Sequence, residues 1–495
     1  MIKCHRNSEP FRQDAFRYPC ATGLFVALWL VAPPTASAPP MASAQPAAAQ
    51  VPEAMATPVP TQPASNQNEP KFQKWNWHFQ DTDIVQGDSG FPARYSGPAS
   101  LNSQGEVQET VTMDLYGGLR LGHDTELHVD ALLWQGFGLS HTYGIEAFPN
   151  GDAYKVGTQF PKFMFSHLFI RKTIGLGGPR ESVPDDQLTL ASKQDIKRVT
   201  VTIGRMSLLD IFDHNTYAQD PHAQFLNWAM EANMAWDYGQ DSVGYAPAFA
   251  VELNQPKWAL RYGIAMEPRD LNGYTGDDEY LMAPSRGAFG PLLKAWAMMT
   301  EFERRYSVKA HPGAIRFMPW LNEADMAPYS AATAILEANG PGANIAAAQT
   351  YTHKYGFGLN WEQEVAKNVG VFSRLGWNDG HEEAWTFTDA NSSASLGASV
   401  KGDAWHRPGD TIGIAGVVSA ASSDQQKFLE AGGQGIYDGD GALTYGPEQV
   451  LETYYNRQIG KNVHGTLDYQ FIKNPAFNRA RGPVSVFGVR LHYEF

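Results

Sequence analysis

The sequence predicts an all-β protein, a transmembrane antiparallel β-barrel, on three observations. Apolar and polar residues alternate at a period of two in one segment after another, the period of a strand with one apolar and one wet face. These segments of about ten residues are joined alternately by short turns and long loops, the arrangement of outer-membrane barrels. The final stretch, VFGVRLHYEF, sets Phe487, Val489, Leu491, Tyr493 and Phe495 against Gly488, Arg490, His492 and Glu494. The chain is thus expected to close on an amphipathic strand with an aromatic last residue.

The elements follow in order. Residues 1–44 carry Lys3, Arg6, Arg12 and Arg17, then the apolar run ATGLFVALWLVA, then the small-residue sites TASA and MASA. That is the layout of a secretory signal, expected to be cut after Ala44 or Ala38. Residues 45–70 are rich in Pro, Ala and Gln and read as a disordered lead-in. The barrel is expected over 71–495. In ETVTMDLYGGLRLG, Val111, Met113, Leu115, Leu119 and Leu121 share one parity, while Thr112, Asp114, Tyr116 and Arg120 share the other. A GHD turn leads into TELHVDALLW, where Leu127, Val129, Ala131 and Leu133 oppose Glu126, His128 and Asp130. The same hairpin pattern recurs in ELNQPKWALRYG, SVKAHPGAIRF, QEVAKNVGVFSR, GDAWHRPGDTIGIAGV and NRQIGKNVHGTLDYQFI. Counting hairpins gives about 14 to 18 strands, and bacterial barrels take an even number.

Composition excludes several classes. No stretch after residue 38 approaches the roughly 20 apolar residues of a membrane helix. Both cysteines, Cys4 and Cys20, lie inside the signal, so disulfide frameworks, thiolate zinc sites and cysteine nucleophiles are excluded from the mature chain. The formal net charge of −14 argues against nucleic acid as a partner. A secreted β-sandwich would alternate too. Its sealed interior, however, would not tolerate the bulky charges on the polar faces, Arg120, Arg171, Arg374, Glu452 and Arg490, which suit a water-filled lumen. Trp75, Trp77, Trp134, Tyr454, Tyr455 and Tyr493 near strand ends suit interfacial girdles.

Longer blocks carry a family resemblance. They are YSGPASL at 95–101, LFIRKTIGLGG at 168–178, DIFDHNTYAQDPHAQFLNW at 210–228, KYGFGLNWEQE at 354–364, RLGWNDGHEEAWTFT at 374–388, LTYGPEQVLETYY at 443–455 and LDYQFIKNPAFNRARGPVSVFGVRLHYEF at 467–495. In this order they resemble the carbohydrate-selective porin family (OprB type) over residues 90–495. The chain departs from it at His214, where members often carry an acidic residue, and in the segment Asn339 to Gln349. The resemblance implies a 16-stranded barrel in the outer membrane of a Gram-negative bacterium, no enzymatic activity, and no cofactor. It implies passage of mono- and disaccharides or polyols, with hydroxylated organic acids such as quinate as the alternative solutes. Outer-membrane lipid, lipopolysaccharide and the barrel-assembly machinery are the implied partners, with a monomer or a homotrimer as the assembly.

A sugar pore needs planar polar groups for hydroxyls, aromatic faces for the apolar side of the ring, and opposed charges across the lumen. Residues 205–228 gather these types where alternation stops: Arg205, Asp210, Asp213, His214, Asn215, Tyr217, Asp220, Asn227 and Trp228. They are expected to form an inward constriction loop. A second cluster, Arg374, Trp377, Asn378, Asp379, Glu383 and Trp385, is a candidate for the mouth, and Arg120, Arg171, Arg261, Glu452 and Arg490 are candidates for the pore wall. Phe487, Val489, Leu491, Tyr493 and Phe495 are the candidate assembly signal. Different classes, a barrel enzyme or an adhesin, would need features not found by spacing. GDSG at 87–90 leaves no room upstream for a His and Asp. HEE at 381–383 lacks a second His. DGDG at 438–441 lacks the distal Glu of an EF-hand. Asp277, Asp278 and Glu279 are a candidate for a loose calcium site, and no other metal is expected.

Overall fold

The computed structural model describes residues 72–155, 157–271, 289–291 and 293–495. The proposed signal, the lead-in and the acidic stretch at 277–279 lie outside them. Sixteen antiparallel strands form one closed barrel. In chain order they begin with β1 (Trp75–Asp88), β2 (Glu106–Arg120), β3 (Thr125–Gly136) and β4 (Thr158–Gly175). A small two-stranded ribbon, β5 (Arg180–Val183) and β6 (Ser192–Asp195), stands apart from the barrel sheet. The wall continues with β7 (Arg198–Met206), β8 (Ala246–Gln255), β9 (Trp258–Met266), β10 (Trp296–Val308), β11 (His311–Met326) and β12 (Thr350–Ala366). It ends with β13 (Val369–Asn378), β14 (Ser392–Lys401), β15 (Thr411–Ala420), β16 (Glu448–Gln458), β17 (Val463–Lys473) and β18 (Val484–Glu494). β18 pairs with β1, Gln80 opposite Glu494 and Val85 opposite Val489, so the sheet has no free edge.

The period of two fixes which residues face where. Along β18 the exposed positions are Phe487, Val489, Leu491 and Tyr493, with Phe487 at 60 % exposure, while Arg490 and His492 point inward and are buried. β2 and β3 follow the same rule, with Leu115 and Leu119 outward and Asp114, Tyr116, Glu126, His128 and Asp130 inward. A register slip of one residue would turn each of these carboxylates into lipid, so the pairing is strongly specified. Of the expected girdle residues, Trp75, Trp77 and Tyr493 are outward. Trp134 and Tyr454 are not: both point inward and are buried, Trp134 against Tyr154 and Tyr454 against Phe225.

Short and long connections alternate around the barrel. One connection on the short-turn side, residues 176–197 holding β5 and β6, departs from the expectation of short turns. The lumen departs from the expected water-filled interior as well. Loops from the long-loop side fold into it and share an apolar core that includes Phe148, Phe225, Trp228, Trp236, Phe387 and Tyr437. Among the described residues these loops hold three α-helices: α1 (Trp228–Glu231), α2 (Tyr329–Asn339) and α3 (Ser423–Glu430). None among the described residues is long and apolar enough to cross a membrane.

Candidate functional site

The loop between β7 and β8, residues 207–245, crosses the barrel interior because the inward charges of the opposite wall bind its backbone. Asp213 is the main fixing point. Its φ of 56° lies in the left-handed region, which Asp tolerates better than most residues. Its N–H donates to Glu301 on β10 at 2.8 Å, and its carbonyl accepts from Asn360 on β12 at 2.9 Å and from Arg374 on β13 at 3.0 Å. The Asp213 carboxylate pairs with Arg374 at 3.0 Å and accepts the N–H of Asn233 at 2.8 Å. Further along, the Thr216 N–H donates to Glu362 at 2.7 Å, and the N–H groups of Leu226 and Asn227 donate to Glu452 on β16 at 2.6 and 3.2 Å. Arg490 on β18 donates to the carbonyls of Pro221 and Gln224. Buried backbone groups of a loop must find partners, and here the barrel's inward carboxyl, amide and guanidinium groups supply them.

These contacts sort the sequence candidates into two groups. Arg374, Glu452 and Arg490 anchor the loop and line neither of the cavities described below; the Arg374 side chain is 1 % exposed. Arg205 anchors the far end by pairing with Asp241, and Asn215 bonds Asn360 at 2.8 Å. Asn227 caps α1 and also reaches Ala147 at 2.8 Å and Gln470 at 2.9 Å. Tyr217 packs at Gly370, where a Cβ would sit 2.0 Å from its ring. Arg120 stays at the turn end, paired with Glu126 at 2.9 Å. Asp210, His214, Asp220 and Trp228 do face open space, and so do Arg171 and Arg261.

The second cluster divides in the same way. Trp377 is outward on β13 against Phe357, whereas Trp385 is buried and donates to the Pro268 carbonyl at 2.9 Å. The Glu383 carboxylate accepts from the Ala327 N–H at 2.9 Å and from Gln349 at 3.0 Å, tying two loops together. Burial pushes Glu383 up to about 7. Asn378 donates to the Ala235 carbonyl at 3.0 Å, and the Asp379 backbone N–H donates to the Tyr355 carbonyl at 3.1 Å. Asp237, which sequence reading missed, organises residues 379–391: its carboxylate accepts N–H bonds from Trp385, Thr386 and Phe387 at 2.8 to 3.0 Å and pairs with Lys354 at 3.2 Å.

Among the described residues, two adjoining cavities lie inside the barrel against residues 207–245. The larger, about 310 Å³, lies between residues 207–245 and the inward faces of β1, β2, β4 and β18. Carboxylates line it at Asp114, Asp152, Asp186, Asp210, Asp220, Glu231 and Glu494, and amides at Gln80, Gln187, Gln219 and Gln240. Its aromatic walls are Tyr116, Tyr154, Trp228, Tyr238, Tyr245 and Phe387, and its basic groups are Lys155, His167, His222 and His492. The smaller cavity, about 150 Å³, shares Asp186, Asp210 and His214 with the first and adds Glu126, Arg171, Arg198, Glu252, Arg261 and Glu303. Most of the strand contributors were legible by inward parity; the loop contributors Asp152, Lys155 and Glu231 carried no such signal.

Charges in the loops are tuned by contact. His222 lies 2.8 Å from Asp220 and 3.4 Å from Asp152. Burial opposes its charge, but hydrogen bonds to Asp152 and Asp220 outweigh burial and hold His222 well above the ordinary histidine value. Burial likewise opposes the Asp220 charge, and the bond and charge of His222 hold it below the usual carboxylate range. Burial pushes Glu231 well upward, and its Oε1 has no hydrogen-bond partner. Burial lowers Lys155 to about 7 despite Asp237 and Asp241 nearby. His214 is pushed down to about 4 by burial and by Arg316, so it is a neutral imidazole, with its Nε2 unpartnered.

The connection 176–197 forms the floor on the turn side. Asn76 on β1 donates to Asp185 at 2.8 Å and to the Thr189 carbonyl at 3.1 Å. Gln187 donates to Gln80 at 2.9 Å and Glu494 at 3.3 Å, and Arg171 donates to the Leu188 carbonyl at 2.7 Å.

Residues 99–495 match the family model described as "Carbohydrate-selective porin, OprB family". Among solved structures, the chain is similar to the high-pH structure of Pseudomonas putida OprB at 17 % identity and a TM-score of 0.64, covering 85 % of this chain and 94 % of that one. The low-pH structure of the same protein is matched at 13 % identity, with a TM-score of 0.45 and 85 % and 93 % coverage. The outer membrane channel DcaP of Acinetobacter baumannii is matched at 10 % identity, with a TM-score of 0.45 and 85 % and 97 % coverage. Comparison with curated proteins gave no match.

Proposed function

This chain belongs to the carbohydrate-selective porin family, OprB, an outer-membrane family of Gram-negative bacteria, and from that premise we propose that mono- and disaccharides or polyols cross the membrane through the larger cavity, past Asp210, His214, Asp220 and Trp228. Family and fold are those of a carbohydrate porin, a channel. The observation that carries the route is the composition of the cavity wall, where carboxylates, amides and aromatic faces meet around one space. Carboxylates accept hydrogen bonds from hydroxyls, Gln amides and His222 donate to ring and hydroxyl oxygens, and Trp228 offers a face for sugar C–H groups. Each bond replaces one to water, so passage needs no net affinity beyond what lets a solute enter and leave.

Insertion by the barrel-assembly machinery through the terminal strand, residence among lipid and lipopolysaccharide, and a monomeric or homotrimeric assembly belong to the same reading. Purified protein reconstituted in liposomes tests the route. Swelling in glucose, a disaccharide and a polyol should exceed swelling in quinate of similar size several-fold. The Trp228→Ala channel should lose most of the sugar block of its conductance. Faster entry of quinate would replace the reading with the organic-acid one.

A further inference from the structure

We propose that Glu146, Asp389 and Asp438 form a binding site for a hard divalent cation of the calcium type, locking three of the long loops together. One carboxylate oxygen of each residue lies within 4.8 Å of those of the other two. Calcium at 2.3–2.6 Å from each ligand spans separations up to about 5 Å. The residues come from three separate connections, 137–157, 379–391 and 421–447, and are 0 %, 1 % and 1 % exposed. Among the described residues no Lys, Arg or His forms an ion pair with any of them. The absence of His and Cys from the group fits a hard cation and not zinc or copper.

Hydrogen bonding leaves one oxygen free on two of the three, while Asp438 Oδ1 accepts the Gly435 N–H at 3.1 Å. Glu146 Oε2 accepts the Asp389 N–H at 2.9 Å, and Asp389 Oδ2 accepts the Tyr437 N–H at 2.9 Å. Those bonds orient the carboxylates and leave Glu146 Oε1 and Asp389 Oδ1 buried with no hydrogen-bond partner. An unpaired, fully buried carboxylate oxygen is costly, and a cation removes that cost. Gly435 keeps the space open: a Cβ there would sit 2.4 Å from Asp438 Oδ1 and 2.6 Å from Asp389 Oδ1. Gln425 on α3 supplies a neutral oxygen. It is buried, its Nε2 donates to Asp438 Oδ2 at 3.2 Å, and its Oε1 is unpartnered. A half-turn of that amide brings the carbonyl oxygen to the carboxylate side, where a bound cation would favour it. Asp438 opens the DGDG stretch, which lacks an EF-hand's spacing because its partners come from distant loops. Asp440 of the same stretch instead pairs with Arg481 at 3.2 Å.

The test uses full-length protein in detergent, stripped with EDTA and titrated with calcium chloride, magnesium chloride as control. Limited proteolysis within 379–391 and 421–447 reads loop opening, which should slow by about 100-fold when calcium stands at 100 times its Kd. Terbium luminescence, sensitised by Tyr437 and Trp228, reads occupancy directly. Asp389→Asn with Asp438→Asn should abolish the calcium protection and the saturable part of the terbium signal. Glu146→Gln, the milder change, should raise the calcium needed for protection several-fold. Equal proteolysis with calcium and with EDTA, together with terbium binding unchanged in the double variant, would overturn the proposal and leave the three carboxyls sharing protons.

Discussion

Arg374 shows how a single residue converts barrel into channel. Its guanidinium takes the carboxylate and carbonyl of Asp213, the Ala218 carbonyl at 2.8 Å and the Met230 carbonyl at 2.6 Å. Arg is suited to this because its planar fork bonds several acceptors at once. Removing one partner of a buried pair costs about 3–5 kcal/mol, more than this loop's contact can absorb without moving. Arg374→Ala is therefore expected to release residues 207–245 from β13, raise single-channel conductance and weaken sugar block, while the barrel still inserts; unchanged conductance in planar bilayers would contradict the anchoring role. Lys155 controls charge in the same space. With its value lowered to about 7, the ammonium is charged below that pH and neutral above it. Raising pH from 6 to 8 is then expected to shift reversal potentials toward cation preference, and Lys155→Met is expected to hold the high-pH preference throughout.

At the scale of elements, several connections fill a lumen that strand pattern alone leaves open, residues 207–245 and the connection 176–197 among them. The hairpins were readable because a strand's neighbours are close in sequence and its parity is set by lipid on one side. The inward course of residues 207–245 was readable only as a change of composition. Its anchors are far apart along the chain: Asp213 and Arg374 are separated by 161 residues. Inward Arg and Glu looked like pore lining because parity reports only that a side chain faces in, and a loop already bonded to it leaves no trace in spacing. Trp134 and Tyr454 failed as girdle residues for the same reason, since an aromatic at a strand end can face lipid or the packed loops. The ribbon β5–β6 gives the clearest test at this scale. Gly175 and Arg198 are register partners, so a short turn could join β4 to β7 without disturbing the wall. Replacing residues 180–195 with a short Gly-Ser turn is expected to remove the floor made by Asp186 and Gln187, increase conductance and speed disaccharide swelling. A conductance equal to that of the intact chain would mean the floor does not limit passage.

For the whole molecule, the question is what closes the sheet and how far closure is separable from permeation. Phe79 and Phe495 exchange backbone hydrogen bonds at 3.1 Å in both directions, the last rung between the first and last strands. The Phe495 ring stacks edge-on against Trp77 with centroids 4.8 Å apart and lies 5.9 Å from Phe79, on the outward face. Of the inward residues of the same strand, Arg490 holds the loop and His492 lines the cavity. One strand thus carries two sets of contacts on opposite faces, and the period of two keeps them from sharing side chains. Deleting Phe495 removes its ring from the outer aromatic cluster and one rung of pairing while leaving every lumen group in place. The expected outcome is less protein in the outer-membrane fraction at equal expression, with conductance and sugar block unchanged in the channels that do insert. Phe495→Leu, which keeps an apolar side chain and the rung, should fall between the deletion and the intact chain. A deletion variant with normal membrane abundance would show that closure does not depend on the terminal aromatic. One with altered conductance would show that the two faces of β18 are coupled after all.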